Sequence, residues 1–346
     1  MNYFKGSYIV TLIGLILAYF WGEHVQAGTG FACVFIAMIL SVLEVSLSFD
    51  NAVVNAARLE KMSPKWQHRF LTWGIAIAVF GMRFLFPILV VSIFAHVGLV
   101  EVAKMALTDA DKYAHYLHIS HPPIITFGGA FLMMLFFHFF FNENKDIHWL
   151  KFIEKKMSAL GHFRGIETIL TLLAIYILQQ FLPQEIQLSV VLAGIWGIVI
   201  YLAIDGLTNL LEQGSAKFNT EIQHCKSGLK CSCFASFLYL ELIDASFSLD
   251  GVLGAFALSK DILIITIGLS IGAMFVRSLT IMLVEKKTLT QFLYLESGAH
   301  WAIGALSVIM LYSTIKEVPE VVTGLLGLVF VGAAFISSIV YNKKQG

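Results

Sequence analysis

The stretch Glu44-Val45-Ser46-Leu47-Ser48-Phe49-Asp50-Asn51 sets two carboxylates, two hydroxyls and an amide inside a long apolar run. Asp244-Ala245-Ser246-Phe247-Ser248-Leu249-Asp250-Gly251 repeats the pattern at a constant offset of 200 residues. Each copy places an acid six positions before an Asp, with Ser at the same two places between. Lipid cannot hydrate a carboxylate, and an Asp at a helix centre costs about 2.5–3.5 kcal/mol even on insertion-derived scales, so both clusters ask for a function. Carboxylate, hydroxyl, amide and backbone carbonyl are hard oxygen donors, suited to Mg, Ca or Mn rather than to soft metals. The candidate ligands are therefore Glu44, Ser48, Asp50 and Asn51 with Asp244, Ser248 and Asp250, read as two halves of one cation site. Positions six apart on an unbroken helix differ by about 120° in direction. Convergence of Glu44 and Asp50 thus requires the helix to unwind near 46–49, which would also free carbonyls as ligands.

The elements that carry these residues follow from composition. Apolar residues make up 58% of the 346, charged residues 13%, and mean hydropathy is +0.80, far from the balance of a soluble domain. Ten apolar runs suit membrane helices: 7–21, 28–57, 70–96, 124–141, 166–182, 186–211, 234–258, 262–284, 292–312 and 318–341. Placing both termini in the cytoplasm puts 17 of the 23 Lys and Arg on that side and four on the other, with Arg83 and Arg277 inside spans. That bias follows the positive-inside rule.

On this count the motifs occupy the second and seventh spans (28–57 and 234–258), five apart and so of opposite orientation. Thr72-x-Gly74 with Arg83 and Thr266-x-Gly268 with Arg277 match in the next span of each half, and Gly129-Ala130 with Gly298-Ala299 is a weaker echo. The expected fold is all-α, a polytopic bundle of about ten helices in a 5+5 inverted-topology repeat, residues 1–183 and 184–346.

Glu44, Asp50, Glu241, Asp244, Asp250 and Glu296 within spans outnumber Arg83, Arg277 and the titratable His300. The excess of negative charge calls for a cation or protons. Arg83 and Arg277 admit two accounts: permanent neutralisation of nearby acids, or competition with an arriving metal. Glu241, Glu296 and His300 are candidates for supporting or gating roles.

Three further groups stand out. His115, His118 and His121, with Asp109 and Asp111, fall in the segment between the third and fourth spans, read as an outer loop that either loads metal or is simply solvated. His224 with Cys225, Cys231 and Cys233 has Zn-ligand types at a spacing that fits no standard finger. Residues 145–164 place Leu150, Ile153, Met157 and Leu160 at helical spacing beside Lys151, Lys155 and Lys156, as in an amphipathic helix on the inner leaflet.

Formal net charge is +0 and no long basic run occurs, so no nucleic-acid partner is expected; the partners are a metal ion, protons and the bilayer. A membrane aspartyl protease would share a proton between close acids. Its Gly-x-Gly-Asp signature is missing, since Asp250 follows Ser248-Leu249, and the expectation is that the chain is not an enzyme.

The stretches EVSLSFDNAVVNA and DASFSLDGVLGAFAL resemble the paired signatures of the TerC family of bacterial integral membrane proteins. The similarity extends to the branch with the Alx-type manganese exporters, within the LysE transporter superfamily, and is nearest to a longer branch described only as a domain of unknown function. It covers roughly residues 28–311. The resemblance implies a bacterial inner-membrane antiporter that exports or exchanges a divalent cation, Mn2+ before Ca2+ or Mg2+, with Glu44, Asp50, Asn51, Asp244 and Asp250 at metal-binding positions. No prosthetic group is implied. Gly251 stands where the first copy has Asn51, one side-chain ligand fewer. The alternative within the superfamily is export of amino acids or other small solutes.

Overall fold

A helix shields its own backbone from lipid, and packs on another helix in a bilayer through small residues rather than through apolar driving force. Both rules are visible here. The computed structural model describes residues 3–60, 62–94, 97–143, 145–221, 237–238, 240–241, 244, 255, 258–259, 261–286, 291–316 and 318–345. Ser248, Asp250 and the group His224, Cys225, Cys231 and Cys233 lie outside the described residues.

The helices run α1 (Lys5–Val25), α2 (Gly30–Leu47), α3 (Phe49–Glu60) and α4 (Pro64–Ala76), then a π-helical stretch Ile77–Leu85 leading into α5 (Phe86–Phe94). They continue with α6 (Leu99–Thr108), α7 (Ala110–Phe140), α8 (Lys151–Leu160), α9 (Ile166–Gln179), α10 (Gln184–Glu221), α11 (Ile262–Glu285), α12 (Leu295–Ser313) and α13 (Glu320–Gln345). No strand occurs among the described residues.

Among the described residues six stretches are long and apolar enough to cross a membrane: α1, α2, Ile119–Phe140 of α7, Gln184–Leu207 of α10, α11, and Leu325–Lys343 of α13. Phe31, Val42, Trp73, Leu188 and Val329 stand exposed on the outside, as side chains facing lipid do. The chain is an all-α, multi-pass membrane protein.

Two local expectations change. The segment read as an outer loop between the third and fourth spans is helical: α6 fills its first part, and α7 begins at Ala110, nine residues before its apolar stretch. The Asp109 carboxylate accepts from the Lys112 amide at 3.1 Å and caps α7. Pro122 and Pro123 then sit inside the helix, where Thr126 Oγ1 donates to the Pro122 carbonyl at 2.8 Å. His115 and His121 therefore project from a helix rather than a loop. The first span is also full length, 21 residues rather than a short helix.

Glycines let α11 press against α2. A Cβ at Gly268 would fall 2.6 Å from Leu40 Cβ, and one at Gly272 would fall 2.5 Å from Glu44 Cβ and 2.7 Å from the Ser41 carbonyl oxygen. This Gly-x-x-x-Gly face sets the distance at which Glu44 sits. Gly272→Ala is expected to destabilise by about 1–3 kcal/mol through overpacking. Gly332→Ala, where a Cβ has nothing within 4 Å, should be neutral or slightly stabilising through helix propensity. Thermal unfolding of both variants in one detergent checks the contrast.

Candidate metal centre

Ser48 ends α2 with φ −101° and ψ 15°, and α3 starts at Phe49. The interruption falls inside the stretch expected to unwind, but it is one residue wide. The Ser48 amide still donates to the Glu44 carbonyl at 2.9 Å, and the Ala52 amide to the Ser48 carbonyl at 3.2 Å. The result is a kink, too tight to bring Glu44 and Asp50 to one point.

Instead the two acids go to different neighbours. Glu44, 2% exposed, forms an ion pair with Arg83 and accepts from Ser48 Oγ at 2.9 Å. Asp50, 3% exposed, turns toward α13, its Oδ2 lying 3.7 Å from the point a Cβ on Gly327 would occupy. Its carboxylate accepts from the Asn51 amide at 3.0 Å and meets no cationic side chain among the described residues.

Asp244 from the second copy joins the Glu44 side. Asn51 Nδ2 donates to Asp244 Oδ1 at 2.8 Å, and Arg83 lies 4.0 Å from Asp244 Oδ2. Arg83 reaches this place from the π-helical stretch, whose wider turn is a recurrent feature of functional sites. Glu44, Ser48, Asn51, Arg83 and Asp244 thus form one cluster, buried except for a partly exposed Asp244, and its two acids are the equivalent positions of the two copies.

Beside it lies a cavity of about 30 Å3 with Asn55, Arg83, Glu241, Asp244, Arg277 and Thr280 on its walls. That is room for about one water or a dehydrated ion. Three buried oxygens of its lining residues, Asn55 Oδ1, Glu241 Oε1 and Asp244 Oδ2, accept no hydrogen bond from the described residues, nor does Asn51 Oδ1 in the adjoining cluster. Each such atom forfeits about 1–3 kcal/mol unless something fills its lone pairs. Glu241 Oε1 and the Arg277 guanidinium both crowd the point a Gly74 Cβ would take, at 2.7 and 3.0 Å, so Gly74 makes room for them. Arg277 also lies 4.6 Å over the Phe70 ring.

Asn55 was not among the residues the motif singled out. Its signal was present, since it stands one helical turn after Asn51 and shares that face. Among the described residues, no three His, Cys, Asp or Glu side chains gather to hold a metal. The acceptors that do gather draw on two Asn amides.

Glu296 and His300 belong elsewhere. His300 is buried, its Nδ1 2.8 Å from the Glu296 carbonyl, and its ring stacks on Phe139 at 3.5 Å. These two residues flank a second polar centre built on Glu154. Glu154 is 0% exposed and accepts from Lys145 Nζ at 2.9 Å, the Trp149 and Leu150 amides at 3.1 and 3.0 Å, and Trp301 Nε1 at 3.0 Å. Burial pushes its carboxyl up, but Lys145, the Leu150 amide and Trp301 together hold it below the usual range. Gating of the acid cluster by Glu296 or His300 is therefore not supported by position.

A family model described as "Protein of unknown function (DUF475)" matches residues 49–345. No curated protein and no solved structure matches the chain.

Proposed function

The chain belongs to the DUF475 family, described as proteins of unknown function, and from its own residues we propose that it is a secondary transporter of a divalent cation. Mn2+ is the first choice of substrate, ahead of Ca2+ and Mg2+. The observation that carries this reading is Asp50: a carboxylate almost wholly buried, with no cationic side chain beside it among the described residues. Such a group in lipid either holds a cation or takes up a proton. A transporter that exchanges the two uses both states.

The vacant acceptors of Asn51, Asn55, Glu241 and Asp244 supply the hard oxygens such an ion prefers. Asp250 and Ser248 complete the set on the motif's symmetry. Arg83 then acts as a competitor: with no metal it balances Glu44 and Asp244, and an arriving cation displaces it from Asp244. The 5+5 repeat supports a shared site, because α11 of the second half packs on α2 of the first while Glu241 of the second half packs at Gly74 of the first. Kinship to the TerC family and LysE superfamily rests on the doubled motif, and with it the bacterial inner membrane and the cytoplasmic termini.

Amino-acid export is the second reading, favoured by the Arg277 donors Nε and Nη2, which find no acceptor among the described residues and suit a carboxylate. A cavity sized for one water weighs against it, since a zwitterion is several times larger.

Export of a divalent ion from a cell negative inside costs about 4.6 kcal/mol at 100 mV, and the sequence holds no GxxxxGK[ST] loop for ATP. Protons taken up by Asp50 and Asp250 as the ion leaves give a two-for-one exchange without net charge movement. Proteoliposomes with Mn2+ inside, a pH gradient and a clamped potential test this. Flux should follow the pH gradient and ignore voltage; flux that follows voltage alone means a channel or uniporter, and no metal flux with amino-acid efflux instead means the second reading.

A further inference from the structure

The α8 helix follows the end of the α7 span and precedes the shorter apolar helix α9, and so lies beside the point where α7 leaves the bilayer. Its only acid, Glu154, is turned inward and fully engaged by Lys145, two backbone amides and Trp301. On α8 itself what remains outside is basic and apolar; the exposed acids Glu143 and Asp146 lie in the preceding loop, Glu143 beside His162 at 3.2 Å. Lys151, Lys155, Lys156 and Arg164 are exposed, and so are Phe152 (75%), Ile153, Leu160 and Phe163. Lys156 Nζ rests 4.1 Å over the Phe152 ring, which puts cation and apolar surface on the same side.

Charge and apolarity together specify the partner. A soluble acidic protein would satisfy the lysines but leave four large apolar side chains without need, whereas a headgroup layer accepts the rings at its acyl boundary and the ammonium groups at its phosphates. We infer that α8 is a binding surface for anionic phospholipid headgroups, and that the Glu154 latch passes its occupancy to α12. The latch is short. Trp301 of α12 donates to Glu154, Lys145 lies 4.3 and 4.2 Å over the rings of Phe139 and Phe140 in α7, and His300 of α12 stacks on Phe139. A helix drawn toward the headgroups thus pulls on α7 and α12 through one buried carboxylate. Nothing in this depends on which solute the protein carries.

The test uses the full chain in nanodiscs of phosphatidylcholine alone or with phosphatidylglycerol, read by native mass spectrometry of retained lipid and by thermal unfolding. Wild type should retain phosphatidylglycerol selectively and melt higher in its presence. Lys151→Gln/Lys155→Gln/Lys156→Gln should lose that selectivity by about a hundredfold, at about 1 kcal/mol per lysine. Lys5→Gln/Lys65→Gln/Lys343→Gln, the same charge change at other exposed positions, should keep it. Trp301→Phe, a milder change than removing Glu154, should keep lipid retention while losing most of the thermal gain. No preference for the anionic lipid, or equal loss in both triple variants, overturns the binding surface. An unchanged thermal gain in Trp301→Phe overturns the latch.

Discussion

Asp50→Asn is expected to cut metal flux by about a hundredfold or more while the protein remains folded and membrane-inserted. Losing an outer partner of a metal ligand costs about 10–100-fold, and in the proposed exchange Asp50 carries the charge that alternates between ion and proton. The fold has little to lose. Asp50 faces no cationic side chain among the described residues, so removing its charge lifts a desolvation cost and leaves the Asn51 amide an amide oxygen to donate to. Loss of function with retained or raised thermal stability separates a functional carboxylate from a structural one. Flux from Asp50→Asn equal to wild type, measured in the same proteoliposomes, would show that this acid carries no ion.

Arg83→Gln should have the opposite profile. Glu44, 2% exposed, loses its counter-charge, and Asp244 loses the only cationic side chain within 4.0 Å of it among the described residues. Stranding a buried charge in this way costs about 3–5 kcal/mol, enough to remove much of the stability of a typical protein. The double variant Glu44→Gln/Arg83→Gln should recover a large part of the loss, because neither charge is then left alone. A double-mutant cycle on unfolding midpoints gives the coupling between them. Additive losses would mean that Arg83 and Glu44 do not hold one another.

The class of the protein was legible in composition alone, because a chain with so much apolar surface and so little charge can only be covered by lipid. The doubled motif was legible for a related reason. Acids inside apolar runs are costly enough that their recurrence at fixed spacing stands out without any structure, and the interruption near Ser48 followed from the same residues.

Where those acids point was decided by the tertiary structure. A helix fixes direction only to within its own turns, and a one-residue kink at Ser48 sent Glu44 to Arg83 and Asp50 toward Gly327, contacts that depend on how α11 and α13 pack. Asn55 was hidden because an Asn carries no charge to draw the eye in an apolar run, and it gained meaning only when a cavity opened beside it. Glu296 and His300 stood out for the converse reason. A charge within a span looks functional by cost alone, yet a hydrogen bond across 147 residues, from Trp301 back to Glu154, ties this end of α12 to a different polar centre. The sequence could say which side chains need a partner; the packing of helices distant in the chain chose it.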